Sequence, residues 1–483
     1  MRRSWIAAGG GAVAAMAVVL VVPEAGAADW TTGAAVEVSQ SSTDNVRLAP
    51  DGQEEGDTIT GITPSFNVRG VSSRMNLALN YSLTRLEYWR NPELSEFRHR
   101  ARGSLNTELV EDFFFFDSQL SVSETFITSQ GAISGNEFND NANRGTVATW
   151  NASPYLRYRL GSFADSEIRY RYSTTLVDSN AANDEDTHLG AFRLDSGRDF
   201  TVLSWGFNAE HAITASQNQA DIKRTTVGLD LRYAVNTQLS LLGTAGYEDI
   251  NDASLADQPS GLFWNVGFDS RPGPRTALRA TYGQRYESQD LNVRASYNYS
   301  SAAFLVLTYA HTLETSGQRR SDLLRFIEVD ENGNLIDIRT GLPVDPDDDL
   351  LTFNNSSNLV DRLNFTFAGS RGRNNYSLNA FAIQRSESTD ITTNENTYGV
   401  SGNFSRQLRR LVSGNVFMSF RTTDFDTADG RTDDTYIART GLSYTLAPDL
   451  TGSLQYTFTR RDSNIAANDL MENALTVRFR KTF

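Results

Sequence analysis

Long stretches of this chain alternate strictly between apolar and polar positions. The clearest runs from 224 to 235: Thr225, Val227, Leu229, Leu231, Tyr233 and Val235 fall on one face, and Thr226, Gly228, Asp230, Arg232 and Ala234 on the other. The same period of two holds through Met75–Leu83, Ile168–Leu176, Trp264–Phe268, Leu291–Tyr299, Tyr436–Leu446 and Leu450–Phe458. Side chains of an extended chain alternate faces, so this period predicts strands, not helices.

The connections alternate as well. Short ones fall near Gly70–Ser73, Glu111-Asp112, Gly161–Phe163, Gly197–Asp199, Asn236-Thr237, Arg271–Pro274, Ser300-Ser301, Ser370–Arg373, Leu408–Arg410 and Ala447–Asp449. Longer, more acidic ones fall between them, near 46–55, 129–143, 179–185, 251–259, 316–354 and 426–432. Short turns at one end and long loops at the other are the mark of a single antiparallel transmembrane β-barrel of the outer-membrane type. Counting segments predicts about 22 strands, within a range of roughly 18 to 24. Aromatic residues gather towards strand ends, at Tyr88-Trp89, Phe113–Phe116, Trp150, Trp205 and Trp264, as girdle residues do.

The last fourteen residues, Leu470–Phe483, state the pattern most compactly. Leu475, Val477, Phe479 and Phe483 share an apolar face, against Thr476, Arg478, Arg480 and Thr482 on the other. Lys481 is the one charge on the apolar face and sits where a long cation can snorkel. Such a strand, ending on an aromatic, resembles the closing strand of an outer-membrane barrel. In that class it is the assembly signal, which implies the barrel-assembly machinery as a partner.

Residues 1–27 carry a basic start, an apolar run from Ile6 to Val22 and small residues before Ala28, the grammar of a secretory signal peptide. The barrel is expected over 28–483. Strands begin so soon after Ala28 that no plug domain fits ahead of them. Mean hydropathy is only −0.41, but inward polar residues dilute every strand of a barrel, so this does not argue against membrane insertion. There are no cysteines, hence no disulfide framework, and the net charge of −15 argues against nucleic acid.

The largest interruption, 316–354, reads as an extracellular loop that stands above the pore or folds into it. Phe326–Asp330 and Leu335–Arg339 flank Glu331-Asn332-Gly333-Asn334, a hairpin signal. Asp345, Asp347, Asp348 and Asp349 follow, a weak surface-cation candidate at most. Asp330, Asn332 and Gly333 echo a calcium loop, but its twelfth position is Arg339 in place of the bidentate glutamate, so no metal site is assigned. His99, His188, His211 and His311 lie on separate strand segments and suggest no catalytic pairing. Neither an enzyme nor a cofactor is expected.

With the apolar faces outward, the inward residues include Arg98, Arg100, Arg102, Arg157, Arg159, Arg169, Arg171, Arg232, Arg279, Arg285 and Arg294. Arginine presents a planar fork suited to carboxylate, sulfate or phosphate. Two outcomes follow: a basic lumen that favours anions, or a ladder in which these arginines pair with Glu108, Glu167 and Asp230 and leave little net field.

The chain resembles the outer-membrane proteins associated with the PEP-CTERM/exosortase system, large barrels encoded among exopolysaccharide genes of Gram-negative bacteria. The resemblance is carried by Ser42-Thr43-Asp44-Asn45-Val46, Leu77–Tyr81, Leu109-Val110-Glu111-Asp112 and Ser153-Pro154-Tyr155-Leu156-Arg157-Tyr158-Arg159. Asn332–Asp337, with Thr340-Gly341-Leu342-Pro343 after it, and the C-terminal strand add to it. It implies an outer-membrane location and a link to extracellular polysaccharide or surface-protein biogenesis, and it brings no catalytic residues. The expected function is a passive conduit for an anionic exopolysaccharide, working with its export apparatus. A general diffusion porin and a non-conducting scaffold that binds polysaccharide are the alternatives.

Overall fold

The computed structural model describes residues 28–483 except 180–181, 218, 254, 256–257, 325–326, 330–334, 338–341, 344–356, 388–393 and 428; for the short strands between 327 and 343 it describes the backbone alone. The signal peptide, the calcium-loop residues and Asp345 to Asp349 lie outside the described residues.

In chain order the strands are β1 (Asp29–Thr43), β2 (Asp57–Val71), β3 (Met75–Tyr88), β4 (Glu96–Val110), β5 (Phe114–Phe126), β6 (Arg144–Leu160), β7 (Ala164–Val177), β8 (Glu185–Ser196), β9 (Leu203–Ser216), β10 (Ile222–Ala234), β11 (Leu239–Asn251), β12 (Gly261–Gly273), β13 (Thr276–Arg285), β14 (Ser288–Ser300) and β15 (Ala303–Glu314). The helix α1 (Ser316–Leu324) and the short strands β16 (Ile327–Val329), β17 (Leu335–Asp337) and β18 (Leu342–Pro343) follow. Then come β19 (Asn358–Arg371), β20 (Asn374–Glu387), β21 (Glu395–Arg409), β22 (Val412–Phe425), β23 (Thr432–Ala447), β24 (Leu450–Ser463) and β25 (Leu470–Thr482).

Among the described residues, β1–β15 and β19–β25 form one 22-stranded antiparallel sheet that closes on itself. Consecutive strands pair, β15 joins β19 across the long interruption, and β1 meets β25 from Ala35↔Thr482 to Thr43↔Ala474. Closure leaves no unpaired edge, the condition a sheet must meet in lipid. The strands that alternate in sequence alternate in space: Val227, Leu229, Leu231 and Tyr233 are exposed on the outer face, as are Leu475, Phe479 and Phe483. The amide of Phe483 donates to Ala34 O at 2.8 Å, which pins the C-terminus to the first strand. Lys481 pairs with Asp449 at 3.2 Å at this rim.

The short turns all fall at the end that holds both chain termini, within a residue or two of the expected positions. The expected long loops fall at the other end, which the single tight turn Tyr286-Glu287, with both φ positive, interrupts. The hairpin expected in the long interruption forms between β16 and β17, in register Ile327↔Asp337 to Val329↔Leu335, and β18 adds a third strand.

Two segments fold inward, one of them against expectation. The first corrects the reading of 129–143 as an outer loop: the connection from β5 to β6 crosses the lumen, with Ser134, Asn136, Phe138 and Asn139 all buried. The second is α1, which packs along the inner wall of β5–β7. Two apolar clusters lie against the first of these segments. Phe138 packs with Val46, Ile59, Leu86 and Tyr88, and Ile127 with Val147 and Val177. A further cluster, Met75, Leu77 and Leu105 with Phe116, lies near the short-turn end.

Candidate functional site in the barrel lumen

The inward segment 127–143, here the strap, is rich in Asn, Ser and Gly. Its backbone has no strand to pair with, so its own side chains serve it. Ser134 Oγ accepts from Asn136 N, Asn136 Oδ1 from Phe138 N and Asn141 Oδ1 from Asn143 N, all between 2.8 and 3.1 Å. The barrel wall supplies the anchors. Glu472, on β25 and 1% exposed, accepts from Asn136 Nδ2 and Thr43 Oγ1, both at 2.7 Å, and from Ser134 Oγ. Arg461 donates to Gly131 O at 2.7 Å and Arg431 to Gln130 O at 2.8 Å. Ser129 reaches Glu395 on β21, almost the opposite wall, at 2.9 Å.

Helix α1 is held in the same manner on the other side. Ser321 Oγ donates to Asn151 Oδ1 at 2.8 Å, and Asn151 Nδ2 returns a bond to Ser321 O at 3.0 Å. Arg320 reaches Ser123 at 2.9 Å, Gln318 reaches Thr214 at 2.8 Å, and Thr315 donates to Glu185 at 2.9 Å. Inward Asn, Ser and Thr of the wall thus act as a docking surface for a polar helix.

Strap and helix leave spaces of opposite charge. Beside the strap is a cavity of about 840 Å³ bounded by β1–β5 and β20–β25. Seven arginines line it, Arg98, Arg100, Arg102, Arg144, Arg421, Arg439 and Arg478, against the carboxylates of Glu37, Glu124 and Glu137. Cations therefore outnumber carboxylates by four. Beside α1 are two smaller cavities of about 310 Å³ each, which share Glu210, Thr226 and Arg285. Together they are lined by Arg171, Arg224 and Arg285 against Glu185, Glu210, Asp230, Glu314 and Asp322. There carboxylates outnumber cations by two.

The eleven arginines named from the sequence divide accordingly. Arg98, Arg100 and Arg102 line the large cavity; Arg98 lies 2.7 Å from Glu96 and 3.1 Å from Glu124, while Arg100 is half-exposed and 3.8 Å from Glu137. Arg157 and Arg169 share Glu167 at 2.9 and 2.8 Å, Arg169 also meets Asp117 at 3.1 Å, and Arg159 pairs with Asp165 at 3.0 Å. Arg157 and Arg169 stack on Tyr155, whose ring lies parallel to Phe115, so Phe115 is an inward ring and not part of an outer girdle. Arg171 meets Asp322 of α1 at 3.5 Å, Arg232 meets Asp269 at 3.4 Å, and Arg285 meets Glu248 at 2.8 Å. Arg279 and Arg294 face each other across β13 and β14, both exposed, with no ion pair among the described residues.

Of the partners expected for a ladder, only Glu167 holds arginines. Asp230 accepts from Thr244 at 2.7 Å and Asn208 at 3.2 Å, and Glu108 from the amide of Asp112. Arg144, Arg421, Arg439 and Arg478 complete the large cavity; of these the sequence singled out only Arg478, as part of the polar face of the last strand and not as a lumen arginine. The alternation of β22, β23 and β25 carried the signal for the last three, since Phe420, Ala438 and Val477 beside them point outward.

One further cluster escaped sequence reasoning. The β14–β15 ladder runs only as far as Val293↔Tyr309. Beyond it Ser288 Oγ lies 2.8 Å from His311 Nε2, and His311 Nδ1 lies 2.8 Å from Asp361 Oδ1, which also accepts Tyr309 Oη at 2.6 Å. The order is that of a nucleophile, base and orienting carboxylate. Yet Ser288 Oγ also has the Arg285 carbonyl as an acceptor at 3.0 Å, and His311 is only 8% exposed. The arrangement ties β14 to β15 and β19 where the ladder stops.

Residues 381–483 match the model of a family described as "Putative beta-barrel porin 2". No curated protein matches the chain in sequence. Among solved structures it is similar in fold to the FrpB iron transporter of Neisseria meningitidis, at 9% identity and TM-score 0.51, over 93% of this chain and 81% of that one. It is similar to the ferric-catecholate import receptor Fiu of E. coli K12, at 8% identity and TM-score 0.50, over 94% and 82%. The siderophore receptor PiuA of Acinetobacter baumannii gives 10% identity and TM-score 0.50, over 93% and 82%. At these identities the likeness is one of barrel architecture.

Proposed function

We propose that the chain is an outer-membrane conduit, exported by its N-terminal segment, through which an anionic exopolysaccharide passes passively. The observation that carries this reading is the excess of arginine over carboxylate in the cavity of about 840 Å³ beside the strap. In a chain of net charge −15 that excess is local, and it lies inside the closed barrel. A basic wall of low local dielectric raises the concentration of a polyanion and offers it repeated forks along its length. Strap and α1 narrow the lumen, so a polymer would thread as a single strand or shift the strap as it enters. The match of 381–483 to a porin-type family and the barrel-type fold support the outer-membrane location.

Deleting the gene in a polymer-producing cell tests the reading. Secreted polymer falls and accumulates in the periplasm if the barrel is its exit. Unchanged output rules the export role out.

A second reading is favoured by one observation, the number of anchors that hold strap and α1 inside. If neither segment moves, the barrel is a scaffold that binds polysaccharide without passing it. Conductance that stays absent after the strap is removed would support the scaffold.

A further inference from the structure

The wall of the large cavity formed by β20–β23 is built of neutral and basic groups. It contributes no carboxylate to the cavity; its inward groups are amides, hydroxyls, two phenyl rings and two arginines, with Ile437. The side-chain amides of Asn379, Asn403 and Asn415 have no hydrogen-bond partner among the described residues, and Asn403 and Asn415 are exposed to the cavity. The two rings lie along the wall. Phe381 covers the space that a Cβ on Gly399 would fill, 2.4 Å from its nearest ring atom. Phe417 carries the Arg439 guanidinium 4.5 Å from its ring centre.

These groups complement three parts of one kind of molecule. An amide donates and accepts at once, as paired sugar hydroxyls require. A guanidinium fork matches a carboxylate. A flat ring covers the C–H face of a pyranose, which is apolar. A small inorganic anion would use only the arginines, and a neutral sugar only the amides and rings. The volume, about 840 Å³, lies within the roughly 300–1,000 Å³ of small-ligand sites, which suits a short run of sugar units.

Carboxylates already occupy the basic edge of this cavity, and Glu37 on β1 lies 3.7 Å from Arg478. Glu137 of the strap is ion-paired to Arg478 and lies 3.8 Å from Arg100. We propose that the cavity is a saturable subsite for an acidic saccharide of the uronate class, and that Glu137 stands in for the ligand's carboxylate when the subsite is empty. The saccharide displaces Glu137 from Arg478 and so loosens the strap that crosses its path. This rests on the conduit reading but goes further, because steering alone needs no saturable site.

The test is calorimetric titration of the full-length protein in detergent with oligogalacturonate, with a neutral malto-oligosaccharide of equal length and with inorganic sulfate. Oligogalacturonate should saturate one site and the neutral sugar should not bind. Glu137→Gln, which removes the internal competitor, should tighten binding several-fold. The double variant Asn403→Ala/Asn415→Ala removes amides that hold nothing else in place, so it folds, and it should weaken binding several-fold. Unchanged or weaker binding in Glu137→Gln overturns the stand-in role. Sulfate binding as tightly as oligogalacturonate, or insensitivity to the amide variant, overturns the saccharide assignment. A barrel that is anion-selective in a bilayer yet binds no oligogalacturonate overturns the subsite and leaves the conduit standing; one with neither property overturns both.

Discussion

Arg478, on the strand that closes the barrel, is ion-paired to Glu137, on the segment that crosses the lumen. The two residues are far apart in sequence, and their contact joins barrel closure to lumen filling. The strap is therefore part of the folded wall, and perturbing it should change the pore.

Removal of the strap should enlarge the passage. Phe126 and Arg144 are paired across the base of the segment, so the hairpin can be rejoined by a short Gly-Ser turn without breaking the ladder. Single-channel conductance of the shortened protein should rise several-fold. Equal conductance would mean that the strap does not obstruct the path.

Acid should release the strap only at low pH. Burial works against the charge of Glu137, but the guanidiniums of Arg478 and Arg100 outweigh it and hold the carboxyl at about 2, below its ordinary 4.5. A carboxyl lowered in this way stabilises the docked state fully above its ordinary value and loses that contribution as pH falls towards the lowered one. Conductance should thus be steady from pH 7 to pH 5 and rise between pH 4.5 and 2. In Glu137→Gln that acid step should vanish. An identical titration in both proteins would assign the step to another group.

Glu472 should matter more than its distance from any arginine cluster suggests. Truncation in Glu472→Ala leaves Thr43 and Asn136 without their acceptor in a buried place, at a cost of about 1–3 kcal/mol for each stranded group. Urea unfolding from lipid vesicles should show the loss, and a broad-specificity protease should begin to cut within 127–143. Wild-type stability and protection would show that the other anchors suffice.

The Ser288–His311–Asp361 chain should behave as a strut. A fluorophosphonate probe should leave Ser288 unlabelled, because its hydroxyl also has the Arg285 carbonyl to bond and the imidazole is enclosed. Labelling that disappears in both Ser288→Ala and His311→Ala would instead reveal a nucleophile.

The barrel was legible because each strand carries its own proof: the alternation that puts Val227 and Leu229 outside puts Thr226 and Asp230 inside. Arg98, Arg100 and Arg102, two apart on β4, all line the large cavity, as one face of a strand must. The partners of the arginines were not legible. Arg171 meets Asp322 on a helix from a distant loop, and Arg232 meets Asp269 two strands away, contacts fixed by register and closure. The strap escaped because Asn, Ser and Gly read as solvated loop chemistry. Its inward path depends on Glu472, Arg461 and Glu395, residues that come near it only once the ring has closed. Helix α1 escaped likewise, since its polar sequence has no apolar stripe and docks through Asn151, Ser173 and Thr214.

As a conduit, the barrel must carry its basic cavity on a conducting path. The direct measurement is ion selectivity of the refolded protein in a planar bilayer under a salt gradient, beside a variant with Arg421, Arg439 and Arg478 replaced by Gln. An open pore that prefers anions is expected, with the preference reduced in the variant. A cation-preferring pore, selectivity that ignores the three substitutions, or no conductance with or without the strap would contradict it.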